Sequence, residues 1–198
     1  MKKLPAGWIA HGLPCCVTAN SEWFRNMPDL IPVLKRDEIC TKVAAVAEKI
    51  SKDYADRELT LVGVLKGAFV FLSDLIRQLS ISVQIDFVRT SSYGSGTASS
   101  EKIQLTKALE IDIQGKDVLI VEDIIDTGLT LEWLVEYVQS FHPKSVKICT
   151  MVDKRERRKS SIRVDYACHV AQKGFLVGYG LDYAENYRGL PDICHMKL

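Results

Sequence analysis

Three acids beside a glycine turn carry the strongest chemical signal in the chain: Glu122, Asp123 and Asp126 within Val118-Leu-Ile-Val-Glu-Asp-Ile-Ile-Asp-Thr-Gly-Leu-Thr130. A hydrophobic run delivers the first two to the carboxyl end of a strand. Thr127, Gly128, Leu129 and Thr130 then open a helix. The first backbone N–H groups of such a helix, with threonine hydroxyls, form a receptor for one phosphate. Two carboxylates beside that receptor suit the vicinal hydroxyls of a ribose. The turn therefore reads as a ribose-phosphate site. It is not a triphosphate site, because no G-x-x-x-x-G-K-[ST] sequence is present, and Gly94-Ser-Gly96 lacks the strand-to-helix setting of a dinucleotide fingerprint. Helix capping would account for one acid. Three after a buried strand repel one another and call for a cation or a hydroxyl-rich ligand.

The elements that must position these groups follow from the hydrophobic pattern. Ile39, Val43, Val46 and Ile50 mark one face of a helix from Asp37 towards Tyr54. Leu59 to Leu65 is an apolar strand, and Gly67 to Leu79 has helical length. Further strands are expected at Val83–Val88, Asp117–Val121, Val146–Val152, Arg163–Cys168 and Phe175–Tyr179, with a helix over Thr130–Ser140. Arg89 to Ser100, rich in Ser, Thr and Gly, is expected to be a mobile loop. Alternating buried strands and helices imply βαβ units around a mainly parallel sheet, where ligands sit beyond the carboxyl ends of strands. Residues 1–32 mix Pro, Gly, Trp and Cys without periodicity and are expected to be an irregular extension, with one domain over 33–198.

Composition narrows the partners. The chain has 198 residues, a formal charge of +1 and 26% charged residues, so no global basic field recruits nucleic acid or an acidic membrane. Any anion must be held locally. The stretch Leu59 to Ile76 carries Lys66 and Asp74 and is too short and too charged to span a bilayer. His11, Pro5 and Pro14 interrupt the N-terminal apolar stretch, so a secretory signal is not expected. Cys15, Cys16, Cys40, Cys149, Cys168 and Cys194 form no C-x-x-C pair, and the four histidines lack metal spacing. Reduced cysteines in a cytoplasmic protein is the reading they support.

The acid-rich stretch resembles the 5-phosphoribosyl 1-pyrophosphate (PRPP) signature of type I phosphoribosyltransferases, and its Glu-Asp-Ile-Ile-Asp-Thr-Gly form is similar to that of the hypoxanthine-guanine enzymes. Four further segments agree in order. Leu65-Lys-Gly67 resembles the family's pyrophosphate loop, and Ser92-Tyr93 the pair on its mobile active-site loop. Val152-Asp-Lys-Arg155 resembles its purine-recognition segment. Phe175 to Tyr183, with Tyr187-Arg188, resembles its C-terminal hood. The likeness runs from about Val33 to the end.

That resemblance implies an α/β type I phosphoribosyltransferase fold, its mainly parallel sheet flanked by helices and capped by a small hood built from the chain ends. It implies transfer of phosphoribose from PRPP to hypoxanthine or guanine, giving a nucleoside monophosphate and pyrophosphate. Asp126 would be the general base; Glu122, Asp123 and Asp182 would serve Mg2+; Lys66, Gly67, Arg188 and, less directly, Arg158 would hold pyrophosphate. Lys154 would donate to the purine O6, Phe175 would stack on the ring, and the Leu176 backbone and Asp182 would complete the base site. A cis peptide before Lys66 and a homodimer or homotetramer are also implied. Without the resemblance, Lys66 could be a snorkelling strand-end lysine and Phe175 a core aromatic. Leu129 departs from relatives, which often carry Lys or Asn there. Two other readings share the PRPP site: a phosphoribosyltransferase for xanthine or another base, and a non-enzymatic PRPP-sensing regulator.

Overall fold

Leu59–Leu65 and Asp117–Ile125 are apolar on both faces, which in a parallel sheet requires helices above and below. A computed structural model describes residues 29–93 and 102–197 and shows that arrangement. The strands are β1 (Leu30–Leu34), β2 (Leu59–Leu65), β3 (Val83–Tyr93), β4 (Lys102–Lys107), β5 (Asp117–Ile125), β6 (Ser145–Lys154), β7 (Tyr166–Ala171), β8 (Phe175–Val177) and β9 (Ile193–Met196). The helices are α1 (Arg36–Asp53), α2 (Phe69–Gln78) and α3 (Leu129–Gln139).

Six strands form the main sheet in the order β4-β3-β2-β5-β6-β7, parallel except for the β3–β4 pair. Strand alternation sorts its side chains to two faces. Leu61 and Leu119 join Ile39, Val43 and Ile50 of α1 and Phe71, Leu72 and Leu75 of α2 in one core. Val62 and Ile120 face the other way, towards Leu131, Leu134 and Val138 of α3. The second sheet, β1-β9-β8, is antiparallel and joins the two ends of the described chain. It is the hood. β1 begins at Leu30, so this strand straddles the boundary expected at residue 32.

Several expected boundaries move. Arg89–Tyr93 is not a loop: β3 runs through it and pairs with β4, a strand absent from the expectations. Ser and Thr carry no strong strand signal, but a cross-strand partner satisfies their backbone, and the Thr106 hydroxyl donates to the Arg89 carbonyl at 3.2 Å. The mobile-loop expectation for 94–100 lies outside the described residues, as do the side chains of Ser92 and Tyr93. β7 starts at Tyr166 instead of Arg163, because Asp165 closes the turn: its carboxylate accepts the Ile148 N–H at 2.9 Å. β8 ends at Val177, ahead of Gly178 with φ 96°. β9 has no apolar run long enough to have marked it. The four described cysteines are free thiols, and no described helix is long and apolar enough to cross a membrane.

One buried acid anchors the return from β4. Asp86 in β3 accepts N–H groups from Glu110 at 2.6 Å, Ile111 at 3.2 Å and Phe87 at 2.6 Å, and the Lys107 ammonium lies 3.0 Å away. Burial alone would raise its pKa, but these donors outweigh that and hold it below the ordinary value. Replacing Asp86 by Asn should cost about 1.5–3 kcal/mol of stability at pH 7, the worth of hydrogen bonds to a charged acceptor. A lowered native pKa means the wild-type advantage is complete above about pH 4 and shrinks as pH falls through the native value. Urea melts of both proteins from pH 7 to pH 3 check this.

Candidate active site

Parallel β2 and β5 end side by side, so the loops that follow them open onto one cleft of about 360 Å³. From β2 come Lys66 and Gly67; from β5 and its turn come Glu122, Asp123, Asp126, Thr127, Gly128 and Thr130; the hood supplies Asp182 and Arg188. These residues converge from three parts of the chain, while Leu129, Lys154, Arg158, Phe175 and Leu176 are not among those lining the cleft. A larger, mostly apolar groove of about 480 Å³ lies between α1, α2 and the hood. Its acid, Asp74, is occupied by the Tyr179 hydroxyl at 2.7 Å and by Arg77.

The loop after β2 and the end of β5 touch where only a glycine fits. A Cβ on Gly67 would lie 1.7 Å from an Asp123 carboxylate oxygen. The Leu65–Lys66 peptide is cis, as the resemblance implies. The Asp123 carboxylate in turn accepts the Ile124 N–H at 2.8 Å, and Glu122 accepts the Asp123 N–H at 3.0 Å. Both carboxyls are pushed above their ordinary pKa values. For Glu122 the main cause is burial, with repulsion from Asp123 next; for Asp123 burial outweighs its hydrogen bonds and the nearby charge of Arg188. A desolvated acid pair of this kind favours a cation or hydroxyl donors.

The phosphate turn is set by Gly128, whose φ of 80° opens α3 from the left-handed region. A Cβ there would also fall 2.0 Å from the Ser160 hydroxyl. The Thr127 carbonyl accepts N–H groups from Lys159 at 2.9 Å and Ser160 at 3.2 Å, so the segment after β6 braces the turn from outside. Leu129 points away, 43% exposed, and Thr130 lines the cleft.

Asp126 begins the turn after β5, on the side that faces Lys154. Its Oδ1 is buried with no hydrogen-bond partner among the described residues, and the Lys154 ammonium lies 3.7 Å away. Arg157, not anticipated from the sequence, approaches Oδ2 at 3.4 Å. Phe175 projects from β8, 37% exposed, with the Tyr183 ring set edge-on at a centroid distance of 5.5 Å. The Leu176 side chain is buried, leaving its backbone as the contact the resemblance invokes.

The surroundings of Arg158, Asp182 and Glu185 add to the sequence reading. Arg158 stands apart from Lys66 and Arg188: its guanidinium donates to the carbonyls of Ile125, Asp126 and Lys154 and pairs with the buried Asp153 carboxylate. It is a strut joining the ends of β5 and β6, held there because orphan strand-end carbonyls need donors. Glu122, Asp123 and Asp182 do not form a protein-only cage, since no three metal-ligating side chains converge among the described residues. Arg188 holds Asp182 at 2.8 Å, while its own Nε is buried with no hydrogen-bond partner among the described residues. Glu185 was not anticipated. Its carboxylate sits 2.7 Å from the Lys66 ammonium and 3.6 Å from Arg188, on a turn with φ of 48°, 65° and 74° at Ala184, Glu185 and Tyr187. Only an acid lying between Asp182 and Arg188 in sequence hinted at it.

The profile of the phosphoribosyl transferase domain matches residues 33–184. The hypoxanthine-guanine phosphoribosyltransferase of Bacillus subtilis is 42% identical over 165 residues, covering 83% of this chain and 92% of that protein. The bifunctional protein TilS/HprT of Listeria innocua is also 42% identical over 165 residues, but the match spans only 26% of its length. In structure, the hypoxanthine phosphoribosyltransferase of Staphylococcus aureus matches with a TM-score of 0.83 and 39% identity, over 91% of this chain and 97% of that one. With the carboxylate turn, the Lys66-Gly67 loop and the hood all placed around one cleft, the chain belongs to the phosphoribosyltransferases, in the group of the hypoxanthine-guanine enzymes.

Proposed function

We propose that the chain transfers the 5-phosphoribosyl group of PRPP to hypoxanthine, guanine or both, releasing pyrophosphate and the nucleoside monophosphate. The observation that carries this is the open acceptor atom of Asp126, buried in the turn after β5 with the Lys154 ammonium 3.7 Å away. In the reaction the bond from ribose C1 to pyrophosphate oxygen breaks, the bond from C1 to purine N9 forms, and a proton leaves the base. Asp126 is the group placed to take that proton from N7 as general base, while Lys154 donates to the exocyclic O6. Phe175 offers its exposed face to the ring.

Departure of pyrophosphate builds negative charge at the cleft. Lys66, the Gly67 loop and Arg188 supply cationic or N–H stabilisation there, and the unpartnered Nε of Arg188 is a donor left for an anion. Family membership implies a divalent metal. Glu122 and Asp123, desolvated and mutually repelling, fit a cation, and Asp182, paired with Arg188 at 2.8 Å, would be the further carboxylate for it. Mg2+ suits such a site, because it takes one or two carboxylates and completes its shell with substrate oxygens and water. When bound, it would neutralise charge on the phosphates. A cytoplasmic homodimer or homotetramer is the setting in which we place the enzyme.

Steady-state assays with PRPP, Mg2+ and each of hypoxanthine, guanine, xanthine and adenine test the assignment. Hypoxanthine or guanine should be consumed with stoichiometric pyrophosphate, and excess EDTA should abolish turnover. Consumption of xanthine alone would move the chain to the other-base reading, and no turnover with any base would favour a PRPP sensor. For the proton acceptor, Asp126→Asn should lower kcat by roughly 10²–10⁴-fold, the usual worth of a placed general base. Both KM values should change far less, because the proton moves only as the transition state forms. Parallel loss of PRPP binding, read by calorimetry, would make Asp126 a turn-building residue.

A further inference from the structure

We propose that Glu156 is a positioning residue for base recognition, an inference that rests on the reaction proposed above. Glu156 lies in the charged run Asp153-Lys-Arg-Glu-Arg-Arg-Lys159, a pattern ordinarily left as a solvated loop. Its Oε2 does two things at once. It stands 3.7 Å from the Lys154 ammonium, and it accepts the N–H of Gly174 at 3.2 Å. Gly174 immediately precedes Phe175, the first residue of β8. One carboxylate oxygen therefore joins the lysine assigned to the base carbonyl to the strand that carries the stacking ring.

Charge balance gives that contact a role during turnover. Lys154 is 9% exposed in its side chain and lies between two carboxylates, Asp126 and Glu156, each at 3.7 Å. Arg157, 66% exposed, also faces Asp126, and Arg158 holds the Lys154 carbonyl from behind. When Asp126 takes the base proton it becomes neutral, and the buried ammonium loses one of its two counter-charges. Glu156 is the one that remains. Loss of the Glu156 charge should therefore lower kcat, and loss of its hold on Lys154 and on the Gly174 N–H should weaken base binding while leaving the PRPP side alone.

Glu156→Gln and Glu156→Ala in the full chain separate charge from shape, since Gln keeps an acceptor for the Gly174 N–H. Gln should raise the hypoxanthine or guanine KM by about 3–10-fold, a charge contact's worth, with the PRPP KM unchanged within about twofold. Ala, which also frees Gly174, should raise the base KM further. Calorimetry with GMP on the same proteins gives a binding readout that does not need turnover, so it stands even if the assigned reaction fails. There the Gln variant should bind more weakly by a similar factor. A Gln variant matching wild type in base KM and GMP affinity overturns the proposal. So does an equal rise in both KM values with a lowered Tm, which marks a structural residue only.

Discussion

Two desolvated carboxylates at the end of a central strand are the constraint around which the rest is arranged. β5 lies between β2 and β6, and helices cover both of its faces. Its last residues therefore emerge from a medium that disfavours charge, yet Glu122 and Asp123 are placed there side by side. Their charge is tolerable only with donors nearby. The Asp123 and Ile124 amides supply part, the Arg188 charge another part, and the remainder is left for a ligand. The same placement forbids a side chain on Gly67, which ties the anion loop after β2 to the carboxylates after β5.

From that pair outward, each segment solves a local problem of the strand ends. The Arg158 guanidinium satisfies the carbonyls of Ile125, Asp126 and Lys154, so β5 and β6 end in fixed register. Lys159 and Ser160 hold the Thr127 carbonyl and keep the phosphate turn against α3. The hood closes the cleft from the other side with Arg188, whose NH1 donates to the Gly180 carbonyl at 2.8 Å. The Glu185 carboxylate lies between Lys66 and Arg188, 2.7 Å from the Lys66 ammonium and 3.6 Å from Arg188. On the function proposed, an incoming pyrophosphate group would exchange with that carboxylate, one anion for another.

The legible parts of the sequence were those whose chemistry is local. The strand-acid-turn-helix motif at Val118–Thr130 needs no partner to be read, and β2 was placed to the residue because every position in Leu59–Leu65 is apolar or small enough to bury. Ends that depend on a distant partner were not legible. β3 continues to Tyr93 only because β4 lies beside it, and β9 exists only because β1 and β8 flank it. The surroundings of Arg158 were hidden for the same reason: the resemblance suggested a pyrophosphate contact, and nothing local reveals that three backbone carbonyls accept from it. Glu156 and Glu185 sit in runs of charge where spacing carries no directional information, so only the fold shows what they face.

If the carboxylate pair is held for function against its own solvation, removing one charge should help the empty fold. An acid with a raised native pKa keeps its proton longer in the native state than in the unfolded one, so stability falls as pH rises through that interval. The most direct measurement is the unfolding free energy of ligand-free wild type and Glu122→Gln from pH 5 to pH 8. The account predicts a variant that gains on wild type as pH rises and that loses the stabilisation PRPP with Mg2+ confers on wild type. A Gln variant that is less stable at every pH, with ligand stabilisation intact, would contradict it.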